Sequence, residues 1–239
     1  MTAAVNFEGE MSIKIIYKDK NFAVIYKPAG IPSQSDNSAD KDAMTLTSEA
    51  LSAHGERSEL WLVHRLDRVV GGLMVFARNK KYAAILSALA AERGMKKEYL
   101  AVVDGVTEGG VFTDYLYKDA AKGKAFVVDR ARAGVKLAEL ECSPLSSVET
   151  EKGRKTLVKV ELHTGRFHQI RAQLSSRQTP ITLDGKYGSR DGAPGAPALF
   201  AFRLSFVAEG KDYSFFHLPE AVYPWTLFEL QKYLTERDR

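Results

Sequence analysis

From residue 156 to 162 the side chains alternate, with Val158, Val160 and Leu162 on one face and Lys159 and Glu161 on the other. A period of two is the mark of a β-strand with one face on a core. Short apolar runs of the same kind recur at 13–17, 22–26, 73–77, 98–103, 111–116, 125–129 and 136–142. Turn-forming stretches separate several of them, at 18–21, at Lys27-Pro28-Ala29-Gly30-Ile31-Pro32 and at Glu151-Lys152-Gly153-Arg154. Helical spacing is confined to a few places. A short helix fits 46–54, and Asn79 suits the N-cap of a helix ending near Gly94, with Tyr82, Ile85, Leu86 and Leu89 on its buried face. Phe167, Ile170 and Leu174 mark a third helix, and Pro224 starts a fourth with Leu227, Leu230 and Leu234. Many strands, few helices and no regular βα alternation predict an α+β fold, a mixed, largely antiparallel sheet flanked by helices.

Several function classes fall away on composition. No run of about 18 apolar residues exists to span a membrane, and the acid-bearing N-terminus lacks a signal pattern. Cys142 is the single cysteine, which excludes an internal disulfide and a cysteine-cluster zinc site. The chain is therefore expected to be soluble and cytoplasmic. Phosphate-loop and dinucleotide glycine patterns are missing, as are the zinc-protease histidine pair and the Gly-x-Ser-x-Gly elbow. His163 and His168 stand five apart with no carboxylate cluster nearby, so no metal is expected. Any chemistry must come from plain side chains, without a cofactor.

The net charge of +4 hides an uneven distribution. Residues 61–100 hold eight bases and three acids, and residues 151–190 hold nine and three, while the other segments are acidic. Each basic island carries one dense polar motif. In His64-Arg65-Leu66-Asp67-Arg68 one carboxylate sits among bases. That pattern suits a surface turn with Asp67 capping a bend, or an ionised carboxylate held ready as nucleophile or base. In Thr164-Gly165-Arg166-Phe167-His168-Gln169-Ile170-Arg171 the donors gather where the chain enters a helix. This is either a basic amphipathic helix or a phosphate- or base-recognising helix start.

Together the motifs carry a family resemblance. His64-Arg65-Leu66-Asp67 with Gly72-Leu73 and Phe76-Ala77-Arg78-Asn79 resembles the signature loop of the RluA-type pseudouridine synthases. Thr164-Gly165-Arg166 with His168-Gln169-Ile170-Arg171 resembles that family's second signature. Tyr26-Lys27-Pro28-Ala29-Gly30, Lys97-Glu98-Tyr99-Leu100-Ala101, Pro180-Ile181 with Asp184 and Tyr187-Gly188, and Leu199-Phe200-Ala201 follow in the family's order. The similarity runs from about residue 13 to 220, and the ordered set is specific.

The resemblance implies isomerisation of uridine in structured RNA, ribosomal or transfer, to pseudouridine. Asp67 matches the catalytic residue, Tyr99 the tyrosine beside the target base, and Arg171 the arginine that pairs with the Asp. His64, Arg65, Arg166, His168 and Gln169 then serve the RNA backbone or shape the loop. Nothing is oxidised in this reaction, so no cofactor or metal is implied. Departures from the family pattern are Val70-Gly71-Gly72 after the Asp, Phe167 in place of a Thr, and Thr182 or Leu183 where a Gly follows Pro-Ile. Residues 1–12 read as an N-terminal extension and 13–239 as the catalytic domain, with no separate N-terminal RNA-binding module. A monomer is expected, with the two islands folding into one basic cleft. The alternatives are an RNA-binding or chaperoning module without catalysis, and a carboxylate hydrolase, which lacks its second positioned carboxylate.

Overall fold

The computed structural model describes residues 12–36 and 38–233, so all but residue 12 of the expected extension lies outside the described residues. Asp19 makes the first reversal: its Oδ1 accepts from the backbone N–H of Asn21 (2.7 Å) and Phe22 (2.9 Å). The reversal joins β1 (Lys14–Lys18) to β2 (Phe22–Lys27) as an antiparallel pair. Helix α1 (Ala43–Ala53) starts at Asp42, whose carboxylate accepts from Thr45 N. Next come β3 (Trp61–Leu62), β4 (Gly71–Ala77) and helix α2 (Lys80–Ala91). Asn79 caps α2 as expected, with Oδ1 accepting from Tyr82 N at 2.9 Å.

Strands β5 (Met95–Asp104), β6 (Gly110–Asp119), β7 (Lys124–Val128), β8 (Val135–Val148) and β9 (Lys155–Leu162) follow. Helix α3 (Gln169–Ser176), β10 (Leu199–Ala208) and β11 (Lys211–Phe216) complete the elements. The α+β class is as the sequence predicts.

The chain divides into two compact units. The first takes the described residues up to 95 together with 203–217. In it, antiparallel pairing joins β1 to β2, β2 to β4, β3 to β4, and β11 to β10. Its core gathers Phe22, Val24, Leu73, Val75, Tyr82, Leu86 and Phe206. Phe22 is fully buried and contacts the rings of Tyr17, Tyr82, Phe206 and Tyr213, at centroid distances between 4.9 and 6.0 Å.

The second unit takes 96–202 and the described residues from 218. Its strand order is β5-β9-β8-β6-β7, again antiparallel throughout. The alternation that marks β9 is covered on both sides over much of its length, because Leu157 is buried as fully as Val158. Helix α3 packs on β6 and β7 through Ala172, Leu116 and Ala125.

The fourth expected helix is not formed. From Pro224 the chain makes two 3-10 turns, Trp225–Leu227 and Leu230–Tyr233, broken by Phe228 in an extended conformation. Burial of Trp225 prevails over the leucine spacing, and Leu234 lies outside the described residues. No helix among the described residues is long and apolar enough to cross a membrane.

Phe22→Ala removes the hub of the first unit's aromatic cluster and is expected to cost about 3–5 kcal/mol, the range for emptying a buried aromatic site. Urea unfolding followed by tyrosine fluorescence measures it.

Candidate active site

Residues 63–70 form the loop between β3 and β4 that carries Asp67. A single buried hydroxyl holds its middle: Ser33 Oγ donates to Leu66 O (2.7 Å) and accepts from Leu66 N (3.0 Å). Leu66 itself is buried, so Asp67 follows a residue fixed by both packing and hydrogen bonds. The Asp67 carbonyl accepts from Val70 N at 3.0 Å, closing a turn beneath the half-buried carboxylate. One residue on, Arg68 O accepts from Gly30 N at 2.7 Å. The Arg68 side chain, exposed, pairs with Asp40 and lies 3.6 Å from Asp36.

Lys27 lies under this loop with no exposed surface. Its Nζ donates to three carbonyls, Pro28 (2.9 Å), Ile31 (2.7 Å) and Arg68 (3.3 Å), one for each ammonium proton. Burial pulls its pKa down to about 7, against the attraction of the nearby Asp67 carboxylate. Gly72, opposite Lys27 in the β2–β4 register, has φ of 131°, which only glycine adopts readily. The departure from the family pattern at Val70-Gly71-Gly72 thus keeps a glycine where the backbone requires one. His64 Nε2 accepts from Val75 N at 3.1 Å, so this tautomer carries its proton on Nδ1 and the ring braces β4. Arg65 is exposed.

In the second unit Tyr99 is buried in β5, opposite Val160 of β9. The loop before α3 hangs on one carbonyl. Glu139 O accepts from the N–H of His163 and Thr164, both at 3.1 Å, and from Gln169 Nε2 at 3.0 Å. Gln169 is buried, and its Oε1 accepts from Thr164 Oγ1 (2.8 Å) and Arg166 N (3.0 Å). Its amide is spent on shaping the loop. Arg166 is exposed and reaches back through Nε to Leu137 O, 2.9 Å away.

Arg171 and Asp184 form a buried, two-pronged ion pair: Nε to Oδ2 is 2.7 Å and Nη2 to Oδ1 is 2.8 Å. The third corner of the guanidinium, Nη1, lies 3.1 Å from His168 Nε2. A guanidinium can only donate, so His168 Nε2 must accept and the ring proton sits on Nδ1. From there it donates to Tyr187 Oη (2.9 Å), which also accepts from Ala125 N (2.8 Å). Burial, together with the charges of Arg171, Lys186 and Lys118, lowers the His168 pKa to about 3. His168 is therefore a neutral brace for Arg171. Its backbone is left-handed (φ 52°), and Phe167 stacks on the ring at 3.8 Å between centroids.

The segment bearing Asp184 is pinned in turn. Asp104 accepts from Thr182 Oγ1 (2.7 Å) and Ser189 Oγ (2.6 Å) on its two oxygens, and Ser189 Oγ accepts from Leu183 N (3.1 Å). Leu183, one of the two positions at which the family pattern would carry a glycine, stands at φ 70°, a left-handed conformation that suits glycine. Asp184 and Tyr187 thus belong to the site by contact, although their motif alone gave them no role. Lys27 and Lys97 are further charged groups that the motifs did not assign; Lys97 Nζ lies 3.9 Å from where a Cβ would stand on Gly165.

Because protonation of His168 would oppose Arg171, its imidazole signals are expected not to titrate between pH 5 and 8 in NMR spectra. Unfolded histidine binds a proton below about pH 6.5, whereas the folded ring resists until about 3. Stability from this group is therefore complete above about 6.5 and falls as the pH drops toward 3. A midpoint near 6.5 for His168 in the folded protein would contradict the assigned tautomer.

The chain matches the family described as RNA pseudouridylate synthase over residues 21–176, a span that includes all eight candidate residues. It is 31% identical over 202 residues to an uncharacterized RNA pseudouridine synthase, YhcT, of Bacillus subtilis, covering 82% of this chain and 64% of that protein. It is 32% identical over 189 residues to tRNA pseudouridine synthase C of Haemophilus ducreyi, covering 74% of this chain and 75% of that protein. Among solved structures, human RNA pseudouridylate synthase domain containing 4 superposes with a TM-score of 0.70 at 26% identity, covering 86% of this chain and 88% of that one. The chain belongs to the RNA pseudouridylate synthase family of isomerases.

Proposed function

We propose that this chain converts specific uridines in structured RNA, ribosomal or transfer, to pseudouridine, with residues 13–239 as the catalytic domain and Asp67 as the essential catalytic residue. The reaction breaks the bond from the sugar C1′ to uracil N1, turns the base, and forms a bond from C1′ to C5. The C5 proton leaves and N1 gains one, so atoms balance without any redox partner. The target base must leave its stack to be reached, which favours loops and unpaired segments.

Asp67 serves this chemistry as an anion, whether it attacks C1′ or C6 or removes the 2′ proton. The observation that carries the reading is the family match across 21–176, with Asp67 on a loop tied down on both sides, at Leu66 and Arg68. Tyr99 takes the place beside the base and assists removal of the C5 proton. Arg171 serves as a positioning residue, held in one guanidinium orientation by its buried partner Asp184 and its neutral brace His168. Arg65 and Arg166, both exposed, contact phosphates. His64 and Gln169 shape their loops. The name of the Haemophilus ducreyi relative supports transfer RNA as one substrate class.

Asp67→Ala is expected to abolish pseudouridine formation on unmodified transfer and ribosomal RNA while leaving thermal unfolding and RNA affinity near those of the parent. Nucleoside analysis by mass spectrometry reads the product after cyanoethylation. Pseudouridine made by the variant at the parent's rate would overturn the role of Asp67.

A further inference from the structure

A third basic stretch lies inside a segment whose total charge is negative. Residues 118–136 hold six bases and two acids, and they contain every base between 101 and 150. Structurally this stretch runs from the end of β6 through β7 to the start of β8. The ladder decides which side chains share a face. Tyr115 stands opposite Val128 and Leu137, and Tyr117 opposite Phe126 and Val135. Opposed residues of antiparallel strands lie on the same side, so three aromatic rings share one face. The other side, with Leu116, Ala125 and Ala138, is covered by α3.

Tyr115 is 37% and Leu137 43% exposed on this face, and Tyr117 and Phe126 are half-buried beside them. Cations stand over its rings, Lys122 and Lys124 at 5.6 and 5.4 Å from the centroid of Phe126, and Arg132 at 5.5 Å from that of Tyr117. Further along β8, Glu139 and Glu141 alternate onto this face, and Glu141 stands opposite Glu161 of β9. Negative charge therefore bounds the platform on that side. The Arg166 side chain meets the β8 edge at Leu137 O, which makes the platform continuous with the second signature loop.

We propose that this face is a stacking platform for unpaired RNA lying outside the target loop. Bases stack on Tyr117 and Phe126, and Lys122, Lys124 and Arg132 swing from the rings to phosphates. An exposed cation–π contact is weaker than a base–aromatic stack, so the exchange favours the nucleic acid. Alternating rings and cations with a local excess of positive charge match a polyanion that also presents flat faces. The proposal deepens the RNA-modifying reading and rests on it only for the origin of the RNA.

The test is equilibrium binding of the full chain to a labelled RNA hairpin, with and without an unpaired extension of about ten nucleotides. The extension is expected to tighten binding by the parent. Phe126→Leu, which keeps apolar bulk, loses roughly 5- to 150-fold on the extended RNA, the worth of one stacked base. The double variant Lys122→Ala with Arg132→Ala lowers the salt slope by about 1.4, as for two phosphate contacts to a single strand. Neither changes binding to, or pseudouridine formation in, the bare hairpin.

No gain from the extension, or a gain that both variants keep, would overturn the platform. Polyglutamate binding that needs Lys122 and Arg132 but not Phe126, without a gain from extended RNA, would assign the face to an acidic protein and overturn it likewise. Absence of turnover by the parent on any RNA would instead remove the catalytic reading, and the binding comparison would still decide the platform.

Discussion

The ion pair between Arg171 and Asp184 imposes the strictest condition on the second unit. Two opposite charges out of water are tolerated only while each has the other, and removing one partner of such a pair costs about 3–5 kcal/mol. Helix α3 and the segment around Asp184 must therefore keep their mutual position, and much nearby structure serves that need. Asp104 clamps Thr182 and Ser189 on either side of Asp184. Lys155, itself buried, pairs with Asp104 and with Asp191, and Lys152 also pairs with Asp191, so two ammonium groups meet two carboxylates. His168 meets the remaining guanidinium corner in its neutral form and passes its proton contact to Tyr187 and the β7 backbone. An arginine held at three corners has little freedom to rotate.

The first unit solves a parallel problem with different means. Its loop has one ammonium beneath it, and the three protons of Lys27 are matched to three backbone carbonyls. Ser33 bonds both polar atoms of the Leu66 backbone. The loop is short of regular structure and still fixed on both sides of Asp67. While protonated, Lys27 also favours the ionised carboxylate that each proposed chemical role demands. Preorganisation of this kind lowers the reorganisation needed at the moment of reaction.

Local signals were legible in the chain where one residue type can do only one thing. Asn79 as a cap, the reversal at Asp19 and the alternation of β9 all follow from short-range chemistry. The eight residues that the resemblance singles out all lie within the span of the family match, because its motifs are contiguous. What stayed hidden depends on contacts between distant segments. Asp184 lies thirteen residues beyond Arg171, and nothing in its neighbours says that it pairs with a guanidinium. The left-handed backbone at Leu183 is visible only in the fold. The leucines after Pro224 kept a helical spacing, yet burial of Trp225 decided that segment. Charge totals misled at 118–136, where six bases were averaged away by acids on either side.

The proposed reaction isomerises uridine without releasing the base from the RNA. RNA labelled with tritium at uracil C5 measures it directly when incubated with the purified full chain. The account predicts tritium release equal to the pseudouridine formed, with no free uracil in the supernatant. Free uracil with abasic sites in the RNA, or no tritium release from any structured RNA, would contradict it.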